Sequence, residues 1–273
     1  MKSQSSFEGS LLRVIRACQF RYKPDLAKLK FLPTMSFARL EKFVKETGSP
    51  ARIRNRLKLV QRKVLNPQFA HVKTEKGMGI FELSYQLLQG GRQNLDIELT
   101  ETNVFDIKST CWFKPNGLFY LLDFPWRPLV QGVLDLISFM MFDDIGFTLP
   151  VTLSKNVFQK IENWVTGNEH PYPGSVIRYI FREILIENRN VEELNMRALS
   201  PPPELLKTLK EHSQSWEVLT LRTPGIKTKT KTIRIEKTGK LTIYSPNLES
   251  KAFFSFLDKL EELILEADDK FPS

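Results

Sequence analysis

The spacing of apolar residues predicts helices in the first quarter of the chain. Apolar residues recur at helical spacing across Leu11–Tyr22, which predicts a first helix. A second helix is predicted to begin after Ser36, a favourable N-cap, and to end at Gly48. A third is predicted over Ser49–Leu65, with Pro50 in the first helical position, where its missing N–H costs nothing.

An alternation of apolar and polar residues, which is typical of strands, follows these helices. Phe69–Lys73 and Ile80–Leu88 flank a glycine-containing turn, so the pattern predicts a hairpin. Three further strands are predicted at Leu95–Thr100, Val104–Phe113 and Leu118–Phe124. Asn116-Gly117 is a strong turn signal between the last two strands, and Pro128 begins a helix.

The same order of predicted elements returns in the second half of the chain. A helix pair is predicted at Ser154–Val165 and Ser175–Asn188. Three strands and a final helix are predicted at Val218–Thr223, Ile226–Ile235, Leu241–Tyr244 and Asn247–Ile264. Gly117 and Gly239 occupy matching turns 122 residues apart. Glu192–Ser215 departs from the repeat, because its pattern predicts proline-broken helix where the first half has a hairpin.

These elements predict an α+β fold of two related halves, in each of which a helix pair precedes an antiparallel βββα unit. The predicted divisions are residues 1–90, a helical head with its hairpin; residues 91–150, the first βββα unit; and residues 151–273, the second helix pair and βββα unit. With 273 residues, of which 41% are hydrophobic, the chain can bury substantial cores, which excludes global disorder.

The charge of the chain is distributed unevenly. The whole chain has 40 Lys+Arg and 31 Asp+Glu, a formal net charge of +9. Residues 1–76 hold 18 Lys+Arg and 5 Asp+Glu, which is +13, whereas the other 197 residues carry −4. All of the excess positive charge therefore lies in the first quarter, which favours a contact there with nucleic acid or an anionic membrane.

The third predicted helix concentrates this positive charge. A helix fits the major groove of B-DNA, and basic side chains along it neutralise phosphates and release counterions. Arginines near the start of such a helix can also bind guanine edges through two hydrogen bonds. The predicted base contacts are Arg52, Arg54 and Arg56, and the predicted phosphate contacts are Lys58, Arg62 and Lys63.

Residues 10–90 resemble the winged helix-turn-helix family of DNA-binding domains, on the basis of FVKETGSPARIRNRLKLVQRKVL and the hairpin that follows it. The resemblance implies that Ser49–Leu65 is the recognition helix and that Lys73 and Lys76 bind DNA at the tip of a wing. The strand-turn-strand-helix endings resemble, more weakly, the closing part of a TATA-binding-protein repeat, for example IRIEKTGKLTIYSPNLESKAFFSFLDKLEEL. In that family a curved sheet binds the minor groove. No residue role is transferred from it.

Two other basic or acidic patterns have competing interpretations. Alternation over Ile226–Lys240 places Lys227, Lys229 and Lys231 on one face. That pattern is typical of a phosphate-facing strand, and also of an edge strand protected by lysines. Asp96 with Asp106-Ile107-Lys108 resembles the short signature of a nuclease superfamily, in which carboxylates hold Mg²⁺ and a lysine assists.

We expect a non-enzymatic protein that binds double-stranded DNA, as a transcriptional regulator or as a plasmid or viral replication protein. The alternative is an assembly factor that binds protein or RNA through its basic head, and a Mg²⁺-dependent nuclease is third. No cofactor, metal ion, membrane or small-molecule substrate is expected as a partner, and a homodimer is left open. The two distant cysteines disfavour a disulfide framework and make a reducing, cytoplasmic setting the default.

Overall fold

The structure, a computed structural model, describes residues 12–75, 78–88, 104–167, 174–186, 189–197, 202–223, 231–244 and 251–267. Within these residues the fold is α+β, as predicted, with seven helices and eleven strands in antiparallel sheet. The chain divides into two compact units: the first unit is Arg16–Pro150, and the second unit is Val151–Ser273 with Met1–Ile15. No helix in the described ranges is long and apolar enough to cross a membrane.

The first unit packs a layer of helices against one face of its sheet. Its helices are a 3₁₀ helix (Leu26–Thr34), α1 (Phe37–Glu46), α2 (Ala51–Lys63) and α3 (Arg127–Phe142). Its strands are β1 (Leu12–Phe20, which contains the division between the units), β2 (Val64–Glu75), β3 (Met78–Leu88), β4 (Val104–Phe113), β5 (Leu118–Leu122) and β6 (Thr148–Pro150). The strand order is β2-β3-β4-β5-β1, and β6 pairs with β1.

The second unit has the same two-layer construction, with α4 packed on both α6 and the sheet. Its helices are α4 (Lys155–Thr166), α5 (Pro203–His212) and α6 (Lys251–Ala267). Its strands are β7 (Ser175–Ile186), β8 (Arg189–Met196), β9 (Ser213–Thr223), β10 (Lys231–Glu236) and β11 (Lys240–Tyr244). The strand order is β8-β7-β9-β10-β11.

The order of elements repeats between the units. In the first unit, neighbouring strands β2, β3, β4 and β5 precede helix α3. In the second, neighbouring strands β7, β9, β10 and β11 precede helix α6. Strand β8 and helix α5 are inserted in the sequence between β7 and β9, which still pair with each other in the sheet. The departure from the repeat over Glu192–Ser215 therefore corresponds to an inserted strand and helix. The predicted broken helix is wrong over β8 and right over α5.

Serine N-caps and a glycine turn lie where the sequence predicts them. The Ser36 hydroxyl caps α1 by accepting a hydrogen bond from the Arg39 amide at 3.2 Å, and Ser154 caps α4 in the same way. Gly117 has a φ of +85° in the turn between β4 and β5. One detail differs: Pro50 is the N-cap of α2 rather than its first residue, and the Ser49 hydroxyl bonds Thr47.

The predicted helix over Leu11–Tyr22 is wrong, because this segment forms strand β1. Neighbouring strand residues point to opposite faces of a sheet. Ala17 and Cys18 are neighbours and both are buried, so apolar residues lie on both faces of β1. A strand with apolar residues on both faces does not alternate between apolar and polar residues. The spacing of the apolar residues in this segment then also fits a helix, which explains the wrong prediction.

The predicted helix over Ser175–Asn188 is also wrong, because Ser175–Ile186 forms strand β7. The pairing of β7 with β9 shifts register twice, between Val176 and Arg178 and between Ile180 and Phe181. Such bulges insert an extra residue and change which positions point inward. The inward apolar residues are therefore spaced by three as well as by two residues, which imitates helical spacing.

Several predictions lie wholly or partly outside the described residues. The strand Leu95–Thr100 is one of them, and so are Lys227 and Lys229. The strand predicted over Ile226–Ile235 is described from Lys231 onward, as β10. The final predicted helix is described from Lys251, as α6.

The turn between α1 and α2 depends on Gly48. Its φ is +65°, a left-handed conformation that favours glycine, and its surroundings leave room for a methyl group. We therefore expect Gly48→Ala to lower the free energy of unfolding by about 1 kcal/mol through backbone strain alone. Urea denaturation measures this change, with Gly48→Asn as the milder control. Equal stability of Gly48→Ala and wild type would contradict the expectation.

Candidate nucleic-acid interface

Helix α2 is held against the core by one apolar face. Leu57 and Val60 are fully buried, and Ile53 is half-buried. Helix α3 approaches closely at Gly132, where an added Cβ would lie 3.3 Å from Val60 Cγ2 and 3.4 Å from Phe37 Cε1. This tight packing fixes which face of α2 points outward.

The outward face of α2 carries a line of positive charge. Arg54, Lys58 and Arg62 are exposed, and their spacing of four residues places them on one side of the helix. We call these three residues the basic stripe. Helix α2 contains six Lys or Arg residues and no Asp or Glu. Within the described part of the chain, no salt bridge joins the stripe to a carboxylate.

Helix α1 differs from α2 because it carries its own counter-charges. Lys45 lies 3.0 Å from Glu41, and Lys42 lies 3.9 Å from Glu46. Hydrogen bonds from Lys45 and Gln61 lower the pKa of the Glu41 carboxyl, and the charge of Lys58 lowers it further. Most of the excess positive charge of the helix pair therefore belongs to α2.

Arg56, a predicted base contact, faces inward instead. Its guanidinium pairs with the Asp135 carboxylate of α3, and Asp135 is only 7% exposed. Burial raises the pKa of Asp135, whereas the charge and hydrogen bond of Arg56 lower it. Arg56 therefore has a structural partner that its position in the helix pattern did not reveal, because Asp135 lies 79 residues away in sequence.

The remaining predicted contacts lie in three different environments. Arg52 is exposed at the start of α2, beside the basic stripe. Lys63 is half-buried, with its Nζ 5.4 Å from the centre of the Trp126 ring. Lys73 is exposed on β2, opposite Ile80 of β3. Lys76 lies outside the described residues.

The hairpin after α2 is present but is part of the sheet. Strand β2 begins directly after α2, and its pairing with β3 forms the predicted hairpin with longer strands than expected. Strand β3 also pairs with β4 along Gly79–Leu88. The hairpin is therefore anchored along its second strand.

The nuclease-like residues lie on the exposed side of β4. Lys108 Nζ is 3.0 Å from Glu82 Oε1, and Asp106 accepts a hydrogen bond from Gln86 Nε2 at 3.1 Å. Asp96 lies outside the described residues. In the ranges that the structure describes, no three His, Cys, Asp or Glu side chains are grouped to hold a metal ion.

The arrangement on α2 can bind a polyanion through several contacts at once. An exposed row of cations without acidic neighbours on the same helix attracts phosphate groups and displaces their counterions.

No protein-family model matches the chain, and no curated protein sequence matches it.

Proposed function

We propose that the protein binds double-stranded DNA, without catalysis, through the exposed face of α2. The observation that carries the proposal is the basic stripe on a helix that has six cations and no acid. Residues four apart rise about 6 Å along a helix, so Lys58 and Arg62 can contact successive phosphates of a DNA strand, and Arg54 lies one turn nearer the start of the helix.

The turn before α2 supports the resemblance to helix-turn-helix proteins. Helices α1 and α2 are joined by Thr47–Pro50, with Gly48 in the left-handed conformation that a tight turn needs. In such motifs the start of the second helix lies nearest the bases. Arg52 and Arg54 are therefore the proposed base contacts, whereas Lys58 and Arg62 are proposed to bind phosphates. The proposed role is that of a transcriptional regulator or a plasmid or viral replication protein.

A salt titration of the full chain with a labelled DNA duplex tests this proposal. We expect the logarithm of the binding constant to fall linearly with the logarithm of salt concentration, with a slope of about −1.8 or steeper for at least two phosphate contacts. Fluorescence anisotropy measures the binding constant at each salt concentration. A slope near zero would exclude phosphate contacts by the basic stripe.

Parallel titrations separate the two other function classes. Tighter binding to an RNA duplex of equal length, or to polyglutamate, would favour an assembly factor that binds RNA or acidic protein. Cleavage of the DNA in Mg²⁺ that disappears in Asp106→Ala would favour a nuclease. With DNA binding as proposed, the duplex stays intact and binds more tightly than either competitor.

A further inference from the structure

Helices α4 and α5 meet the sheet of the second unit on the side of Tyr179, because Lys210 of α5 also pairs with Glu162 of α4. The Tyr179 hydroxyl donates a hydrogen bond to Glu162 of α4, so Tyr179 on β7 faces the helices. Its register partner Leu219 on β9 faces the same way. Neighbouring residues alternate between faces, so Arg178 and Thr220 point to the opposite face, which we call the open face.

Three arginines meet on this open face. Arg178 and Thr220 are register partners, and Thr220 is also the partner of Arg234 on β10. Arg197 follows Met196, the partner of Tyr179, which places Arg197 next to Arg178. Paired strands lie about 4.8 Å apart, so the three long side chains can converge above Thr220. We call Arg178, Arg197 and Arg234 the arginine row.

The arginine row has more positive charge than its neighbours neutralise. Arg178 Nε donates a hydrogen bond to the neutral amide oxygen of Asn195 at 3.0 Å. Arg234 Nε lies 3.3 Å from Glu236, a carboxylate that also pairs with Lys240 at 3.1 Å. Partial burial lowers the pKa of Arg178 and the charges of Arg197 and Arg234 lower it further, whereas Glu193, which also pairs with Arg182, and Tyr244 raise it. The three guanidinium groups therefore repel one another.

Two buried polar atoms at the same place lack hydrogen bonds. Among the described residues, Thr220 Oγ1 has no partner, and Arg234 Nε has none either, because its approach to Glu236 is not aligned for a hydrogen bond. Buried polar atoms are usually paired, and exceptions occur where a ligand or ion binds. An anion above Thr220 would satisfy both atoms and offset the repulsion between the arginines.

We propose that the arginine row and Thr220 form a binding site for a phosphate group. The planar guanidinium fork matches two phosphate oxygens, and three such forks on one face favour a tetrahedral oxyanion over a single carboxylate. The phosphate belongs either to a nucleic-acid backbone or to a small phosphorylated molecule. This site is on the second unit and uses none of the residues of α2.

Isothermal titration calorimetry of the full chain with inorganic phosphate, against sodium chloride of matched ionic strength, tests the site. We expect saturable phosphate binding that weakens about tenfold in Arg197→Gln and again in Arg234→Gln. Arg197 is exposed and Arg197→Gln removes no described hydrogen bond, so this variant should fold normally. Arg178→Lys keeps the charge but loses the fork, and should also bind phosphate more weakly.

Controls on the 3₁₀ helix and α5 distinguish this site from general positive charge. Lys30→Ala and Lys207→Ala each remove an exposed cation and should leave phosphate binding unchanged. The proposal is overturned if wild type shows no saturable phosphate binding, or if the arginine variants bind phosphate as wild type does.

The salt dependence of DNA binding then identifies the source of the phosphate. The triple variant Arg178→Gln, Arg197→Gln and Arg234→Gln is compared with wild type on the same duplex. A slope that becomes shallower by about 0.9, the change expected for one lost phosphate contact, supports a nucleic-acid backbone at the site. An unchanged slope, together with lost binding of inorganic phosphate, supports a small phosphorylated molecule.

Discussion

Replacement of Arg54, Lys58 and Arg62 by alanine is expected to weaken binding to duplex DNA on the order of 100-fold. Each exposed charge contact contributes up to about 1 kcal/mol, and 1.4 kcal/mol corresponds to a factor of ten in affinity. The salt slope should become shallower by about 1.8, because the two phosphate contacts of Lys58 and Arg62 are lost. Anisotropy titrations of this triple variant and wild type at several salt concentrations measure both changes.

The matched control removes three other exposed cations, Lys30, Arg189 and Lys207, from three different elements. Both triple variants change the net charge equally, so a general electrostatic effect would weaken DNA binding equally in both. Alanine has the highest helix propensity, so α2 should remain folded, and circular dichroism checks this. Equal losses in the two variants would show that diffuse positive charge, rather than α2, attracts the DNA.

Local signals in the sequence were sufficient to predict helices α1 and α2 and several turns. Ser36 and Ser154 are caps because a hydroxyl can accept a hydrogen bond from the first turn of a helix, a purely local interaction. Gly117 and Gly239 mark hairpin turns because they adopt positive φ, at +85° and +68°. Such features depend on neighbouring residues only, so their positions could be predicted.

Elements buried on both faces or interrupted by bulges could not be predicted from local spacing. Strand β1 buries adjacent residues, and β7 contains two shifts of register against β9. Both arrangements are set by partner strands that are distant in sequence. The error at β7 also hid the arginine row, because Arg178 was assigned to a helix rather than to a sheet face shared with Arg234.

The candidate interface was predicted in outline but not in detail. The sequence shows that α2 is rich in cations, and the structure exposes Arg52 and the basic stripe. The sequence could not show that the Arg56 side chain points inward, because its ion-pair partner, Asp135, belongs to α3. Hydrophobic spacing assigns a face to each residue, whereas a buried ion pair depends on an opposing helix.

Arg56→Met is expected to lower the free energy of unfolding by about 3 kcal/mol at pH 8, because it leaves the buried Asp135 carboxylate without its partner. The loss should be smaller at pH 5. Burial raises the pKa of Asp135 in the folded protein, and removal of Arg56 takes away the effects that lower it. The folded state then favours the protonated carboxyl, so stability is higher below this pKa and falls as the pH rises through it.

Urea denaturation of Arg56→Met, Asp135→Leu and the double variant at pH 5 and pH 8 measures these effects. The double variant replaces the ion pair with apolar side chains, so it should recover most of the stability and lose the pH dependence. A loss of equal size at both pH values would show that Arg56 acts through packing alone. If Arg56→Met instead keeps its stability but binds all DNA sequences equally, Arg56 is a base contact, as the helix pattern predicted, rather than a structural residue.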